Sequence, residues 1–331
     1  MEPGATSTAP WPRIAVFGAG AVGCYFGGML ARAGAPVTLI GRARHVDAIA
    51  SKGLIVEWTD RTESVPVAAS TGVAAVADAD IVLVCVKSTD TQSAGRSLAP
   101  HVRERAAIVS LQNGVDNADR LREALDHPIF AAVVYVGTYM NGDGVVRHAG
   151  RGDLVLGAER LTALRKDADA QRDAIAAMFA RAQVPCAVTS DIAAALWTKL
   201  AINCAFNAVS ALGRSRYARM ARQPAIRAVM ERAVGEAVTV AKASGVALDE
   251  TALMAQIWKV ADALAGQHSS TAQDIVRGKP TEIDALNGFV VERANALSID
   301  VPVNRTLHAL VKLREAGDDL VTGETSGAPG S

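Results

Sequence analysis

Little in this sequence points to a macromolecular partner. Aromatic residues make up only 4% of its 331 residues, too few for the stacking platforms that hold single-stranded nucleic acids. Neither sign of charge is in excess: 34 Lys and Arg cancel 34 Asp and Glu, so the cationic surplus of a general nucleic-acid or polybasic membrane binder is missing. Cysteine is scarce. Cys24, Cys85, Cys186 and Cys204 are widely scattered, with no CxxC pair and no zinc-ligand spacing, so neither a metal site nor a disulfide framework is expected. They read as reduced, mostly buried thiols of a cytoplasmic protein. Residues 1–12 are rich in Pro, Gly, Ser and Thr and lack the basic and apolar regions of a signal peptide, so they read as a flexible leader. The uncharged run Ile14–Ala31 is about long enough to suggest a membrane span. Five glycines (Gly18, Gly20, Gly23, Gly27 and Gly28) interrupt it, and a strand, a glycine turn and a helix explain it better.

What is abundant is small and aliphatic. Hydrophobic residues reach 50% and charged residues 21%, which excludes disorder of the whole chain and suits closely packed helices and buried parallel strands. The length predicts two domains. In the first half, short apolar runs alternate with helical stretches, the pattern of a parallel α/β sheet. Strands are expected at Arg13–Phe17, Val37–Ile40, Ile81–Val86, Ala107–Leu111 and Ile129–Val136. A closing hairpin is expected from Val145–His148 and Asp153–Leu156, and one helix from Leu161 to Ala182. Gly34 suits a helix C-cap. Beyond Ser190–Asp191 only helices are expected: Ile192–Leu212, Ile226–Ser244, Glu250–Leu264, Thr281–Leu297 and Thr306–Ala316, with Thr281 and Asp284 as a start signal of capping-box type. The predicted architecture is α/β. An N-terminal Rossmann-type, doubly wound parallel sheet (13–190) is followed by a C-terminal all-helical domain (191–316) across a cleft, and by a flexible tail (317–331).

Gly18-Ala19-Gly20-Ala21-Val22-Gly23 directly follows the first apolar strand. In that context GxGxxG binds a dinucleotide: the first glycine permits the tight turn, the second lets the pyrophosphate approach the backbone, and the third lets helix and strand pack closely. The helix N-terminus then offers N–H groups and partial positive charge to the phosphates. The bland alternative is a glycine-rich corner in a core. At the end of the second strand, where an NAD enzyme usually places an acid, Gly41-Arg42-Ala43-Arg44-His45 offers two guanidiniums instead. Arginine suits a 2′-phosphate, so Arg42 and Arg44 favour NADP(H); the alternative is a solvated basic turn.

Lys199, Asn203 and Asn207 are spaced i, i+4, i+8 among apolar neighbours, and on a helix they share one face. Such side chains need partners when buried. A polar substrate or a structural hydrogen-bond network would supply them. Ser269 and Ser270 could act only as helix caps, and spacing alone gives Glu282 no catalytic role. Lys87 and Asn113 follow the third and fourth expected strands. That is the end of a parallel sheet where ligands bind, and it sets both residues beside a nicotinamide, although Asn113-Gly114 is also an ordinary turn dipeptide.

Taken together, GAGAVG, CVKS, LQNG, WTKLAINCAFN, SSTAQD and PTEIDALNGFV resemble the ketopantoate reductase (2-dehydropantoate 2-reductase) family, over about Arg13 to Arg314. The resemblance implies NADPH-dependent reduction of a small-molecule 2-keto acid, foremost ketopantoate to pantoate on the way to pantothenate and coenzyme A. It implies that Lys199 is the general acid and that Glu282 helps to bind substrate and orient the site. Asn113, Asn203, Asn207 and Ser270 would line the substrate pocket, and Lys87 would lie near the cofactor. Tyr217 and Gln267 occupy places where ketopantoate-specific members tend to carry Asn, and Thr271 stands where Met is often found. A different small keto acid, or a non-catalytic NADP sensor, are the competing readings. The apolar C-terminal helices could form a homodimer interface.

Overall fold

A computed structural model describes residues 10–317; most of the expected leader, and the expected tail beyond Gly317, lie outside the described residues. The elements in chain order are β1 (Ile14–Phe17), α1 (Ala21–Arg32), β2 (Val37–Ile40), α2 (Ala43–Lys52), β3 (Leu54–Glu57), β4 (Thr62–Val65), β5 (Ala68–Ser70), β6 (Ile81–Val84), α3 (Thr91–Leu98), β7 (Ala107–Ser110), α4 (Asn117–Arg122), β8 (Ile129–Gly142), β9 (Val145–Ala158), α5 (Ala168–Arg181) and β10 (Cys186–Val188). Seven helices complete the described residues: α6 (Ile192–Leu212), α7 (Tyr217–Ala221), α8 (Pro224–Ala243), α9 (Glu250–Ala263), α10 (Ser270–Val276), α11 (Asn287–Ala296) and α12 (Pro302–Glu315). Two compact units divide at Trp197/Thr198, inside α6.

The first unit is built on one sheet, ordered β4-β3-β9-β8-β7-β6-β1-β2-β5, with β10 beside β9. β1 pairs in parallel with β2 on one side and β6 on the other. The chain therefore reverses its direction of travel across the sheet at β1, and the carboxyl end of β1 is the switch point where such sheets bind ligands. β6 and β7 are buried at every position, which explains why their sequences are continuous apolar runs rather than alternating ones. One face carries Tyr25, Phe26 and Leu30 of α1 with Ile175 and Phe179 of α5. The other carries Leu98 of α3, Leu121 of α4 and Ile192 of α6. Gly34 follows α1 with φ +92°, and its N–H bonds to Ala31 O at 2.9 Å, closing the helix as expected.

Two expected elements of this unit are different. Val145–His148 and Asp153–Leu156 do not pair with each other. Both belong to β9, which runs antiparallel to β8. Gly150 and Gly152 look like turn residues, but the register skips there: Tyr135 faces Asp153, Val136 faces Arg151, Gly137 faces Gly150 and Thr138 faces His148. The residues left over are Gly152 and Ala149, and Gly150 and Gly152, with φ +151° and +148°, give these bulges the same permissive backbone as a turn. The second difference lies in Leu161–Ala182. A short 3-10 turn at Thr162–Leu164 precedes α5 because Glu159 captures the N–H groups of Leu161 (2.9 Å) and Thr162 (3.1 Å). Arg122 pairs with the same buried carboxylate at 3.0 Å.

In the second unit α8 buries Met230, Ala233, Val234, Ala237, Val238 and Ala241, a helical stripe at the spacing a core face requires. α8 and α12 begin at Pro224 and Pro302, earlier than the expected Ile226 and Thr306. A proline is a breaker inside a helix but is welcome at its first position. The expected helix Thr281–Leu297 is broken at Leu286 (φ −110°, ψ −105°) into a 3-10 turn and α11. Thr281 Oγ1 takes the Ile283 N–H at 3.2 Å, and Asn287 is drawn to Cys204 O and Asn304, so tertiary partners override helix propagation. α6 is long and apolar enough to cross a membrane by length and composition, and 61% of that window is buried inside the protein.

Candidate functional site

In the first unit the glycine loop turns at the end of β1. The Gly18 and Ala19 N–H groups both reach Ile40 O, at 3.0 and 2.9 Å, tying the loop to the end of β2. Gly18 has φ +112°, and a Cβ there would lie 2.7 Å from the Cys85 carbonyl carbon and the Val86 nitrogen. A Cβ on Gly23 would meet Gly18 O at 2.2 Å and Val16 at 2.9 Å, so this glycine lets α1 pack on β1. Gly20 is different: nothing lies within 4 Å of its would-be Cβ. It is the N-cap of α1, with no side-chain cap and no acidic residue in the first turn. The helix thus presents backbone N–H groups toward open space, a fit for a pyrophosphate.

Arg42 is the N-cap of α2 and Arg44 lies in its first turn. Cations are unfavourable at a helix N-terminus, so two guanidiniums there suit an anionic ligand. They are not equivalent. Arg44 Nε lies 3.4 Å from Asp143 Oδ1, whereas Arg42 is exposed and forms no ion pair among the described residues.

Lys87 and Asn113 follow β6 and β7, and their loops are locked by a buried polar network that sequence reasoning missed. Ser88, Thr91, Ser110, Gln112 and Asn117 are all buried. Ser88 Oγ donates to Asn113 O, and Asn117 Nδ2 donates to the same oxygen at 2.7 Å. Gln112 Nε2 donates to Thr91 Oγ1 at 2.7 Å and to Val86 O at 3.2 Å. Thr91 Oγ1 also lies 2.8 Å from Asn117 Oδ1. Polar side chains directly after all-apolar strands were the available signal, since buried polar groups must find partners.

In the second unit α6 carries Lys199 and Asn203, half-buried, and Asn207, buried. Two of the expected pocket residues come together: Asn207 Nδ2 donates to Ser270 Oγ at 3.3 Å. Ser269 makes that meeting possible. It is buried, caps α10 by accepting the Ala272 N–H at 3.1 Å, donates through its hydroxyl to Asn207 O at 3.1 Å, and donates its own N–H to Ser210 Oγ at 3.1 Å. The two serines therefore divide the work: Ser269 anchors, and Ser270 stands beside the amide. Glu282 precedes the 3-10 turn in a segment pinned on both sides. The Thr281 N–H reaches Glu315 at 2.7 Å, and Asp284 pairs with His308 (2.7 Å) and Lys312 (3.0 Å). The Thr281–Asp284 capping box is thus not formed. The four cysteines are free. Burial pushes the Cys24 thiol up to about 12 and Cys186 up to about 11, and raises Cys85 and Cys204 as well, so none is a reactive thiolate near neutral pH.

Residues 14–160 match the family described as ketopantoate reductase PanE/ApbA, and residues 191–315 match its C-terminal domain. The chain belongs to the ketopantoate reductase family. It is 38% identical to the 2-dehydropantoate 2-reductase of Halobacterium salinarum, over 92% of this chain and 99% of that one. It is 31% identical to that of Pyrococcus horikoshii, over 92% and 98%. Among solved structures, a PanE/ApbA family ketopantoate reductase from Ralstonia eutropha JMP134 superposes with a TM-score of 0.84 at 49% identity, covering 92% of this chain and 98% of that one. A D-mandelate dehydrogenase with NADH and anilino(oxo)acetate shares the fold, with a TM-score of 0.85 at 22% identity and coverage of 92% and 98%.

Proposed function

We propose that this chain reduces ketopantoate to pantoate with NADPH. The observation that carries the reading is the polar stripe Lys199–Asn203–Asn207 on an otherwise apolar helix, with Ser270 held against its last member. The names of the relatives support the same substrate. Bound NADPH would supply the hydride that the keto carbon receives. As the C=O bond opens, its oxygen gains negative charge, and a protonated Lys199 is suited to stabilise that oxygen and give it the proton that completes the alcohol. Asn203, Asn207 and Ser270 are neutral donors that can hold the substrate carboxylate and hydroxyl without changing charge, and Glu282 is suited to orient the site. For the cofactor, the backbone at Gly20–Gly23 would take the pyrophosphate, Arg42 the 2′-phosphate, and Lys87 and Asn113 would flank the nicotinamide.

The test is NADPH oxidation at 340 nm with ketopantoate, beside NADH. Lys199→Ala should lower kcat by about 10²–10⁴-fold; unchanged turnover would sink the assignment. A second reading, a different small keto acid, is favoured by one observation. Tyr217 and Gln267, two of the three departures from the family pattern, meet through Tyr217 N–H and Gln267 O at 3.1 Å. The Tyr217 ring stacks on Phe206, next to Asn207 on α6, at 4.3 Å and 14°. A panel of 2-keto acids decides: ketopantoate ranking below another compound in kcat/KM selects the second reading.

A further inference from the structure

The turn between β8 and β9 carries a carboxylate, Asp143, that the proposed reaction does not use. Its Oδ1 lies 3.4 Å from Arg44 Nε and 3.4 Å from His45 Nδ1. His45 is buried, and its Nδ1 faces the Gly144 N–H at 3.3 Å. A ring nitrogen that accepts that N–H has no proton to offer Asp143, so the cation that answers the carboxylate is Arg44. The turn is held against α2. A Cβ on Gly144 would come 3.0 Å from Ala48 Cβ, and neighbouring Asn141 donates to Glu57 of β3 at 2.9 Å. A segment about a hundred residues further along the chain thus sets a fixed negative charge beside one of the two guanidiniums at the start of α2.

We infer that Asp143 is a cofactor-specificity residue. By holding Arg44 it leaves Arg42 as the guanidinium that recognises a 2′-phosphate, and it weakens the preference for the phosphorylated dinucleotide. This rests on the NADP(H) reading above. The pair is half exposed on both sides, 56% at Arg44 and 51% at Asp143, so solvent and salt screen it and its effect is modest. Removing the carboxylate takes away a charge that repels a dianionic phosphate and at the same time frees Arg44 to join Arg42 on it.

The experiment titrates NADPH and NADH onto the full chain by cofactor fluorescence, without substrate. It uses Asp143→Asn, Arg42→Ala, Arg44→Ala and the double variant Asp143→Asn/Arg44→Ala, with melting temperatures measured unliganded. Asp143→Asn should tighten NADPH about three- to fivefold and leave NADH within about twofold; the gain should vanish in the double variant and shrink at high salt. In the wild-type background Arg44→Ala should cost less NADPH affinity than Arg42→Ala. An unchanged NADPH-to-NADH ratio in Asp143→Asn, or a gain that survives the loss of Arg44, overturns the inference while the NADP(H) reading stands. If Arg42→Ala leaves the ratio unchanged, that reading falls and the inference with it. Should Asp143→Asn melt early, Asp143→Glu, which keeps the charge, is expected to hold the wild-type ratio; a shifted ratio there also overturns the inference.

Discussion

In the glycine loop the geometry is set largely by backbone packed against it, whereas on α6 it is set by side chains from far along the chain. Gly23 is demanded by Gly18 O and Val16 close by in the chain, and Gly18 by the Cys85–Val86 backbone just beyond β6, the strand paired with β1. The Asn207 side chain meets Ser270 and its backbone carbonyl meets Ser269, both more than sixty residues downstream, and the backbone of α6 at Cys204 meets Asn287, 83 residues on. One site is backbone shaped by sterics; the other is side chains held by partners. Substitutions should therefore fail in different ways in the two places.

The largest expected effect is Gly23→Ala. Its methyl group would sit 2.2 Å from Gly18 O, and α1 would have to lift from β1. Overpacking of this kind costs about 3 kcal/mol or more, which urea unfolding would show as a lower midpoint, with cofactor affinity lost along with the fold. Gly20→Ala, three residues away, should do the reverse. It meets no atom within 4 Å and has φ −87°, so stability should change by no more than about 0.5 kcal/mol. The methyl group would instead stand where a pyrophosphate must approach, and NADPH affinity should fall about 10- to 100-fold. A Gly20→Ala protein that melts early yet binds NADPH normally would break the distinction between packing glycine and ligand glycine.

That distinction was legible in the sequence because GxGxxG directly after an apolar strand encodes local sterics. The strands β1, β2, β6 and β7 were legible for the same reason. Where a position is decided elsewhere in the chain, local pattern misleads. Gly150 and Gly152 carry the marks of a turn, and only pairing with β8 turns the segment into a continuous strand with bulges at Ala149 and Gly152. Thr281–Leu297 has a helical pattern, and only Glu315, Asn304 and Cys204 break it. Within the candidate site, the order of Lys199, Asn203 and Asn207 on one helix face could be read from spacing. The network of Ser88, Thr91, Gln112 and Asn117 that fixes Asn113 could not, because it joins two loops more than twenty residues apart.

Ser269→Ala probes the site built by partners. It removes an N-cap and the bond to Asn207 O, so stability should fall by about 1–2 kcal/mol. KM for the keto acid should rise, because Ser270 loses its register against Asn207. Ser270→Ala should raise KM with stability nearly unchanged, since Ser270 is exposed and caps nothing. Equal melting temperatures for the two variants would contradict the division of labour between the serines.

The smallest expected effect is of pH. The glycine loop has no titratable side chain, while the segment bearing Glu282 is pinned by two carboxylates. Burial pushes the Asp284 carboxyl up, but hydrogen bonds and charge from His308 and Lys312 outweigh it and leave its pKa below the ordinary 3.8. Burial likewise raises Glu315, and its bonds from Thr281 and Lys312 bring it below the ordinary 4.5. A group with a lowered folded pKa stabilises fully above its unfolded value and loses that contribution as the pH falls through the folded one. From neutrality down to about pH 5 this cluster should therefore leave the melting temperature unchanged, and acid below the ordinary carboxylate range should weaken it. Lys312 is raised, chiefly by its bond to Glu315, so its contribution disappears only above 10.5. Asp284 is half exposed, which keeps the acid effect near about 1–2 °C in melting temperature. Hydrogen exchange at about pH 3 against pH 6, corrected for intrinsic rates, should show protection reduced at residues 281–286 and kept at residues 18–23. Glu315→Gln should show the lower protection at 281–286 already at pH 6, because it removes the charge that acid would otherwise neutralise.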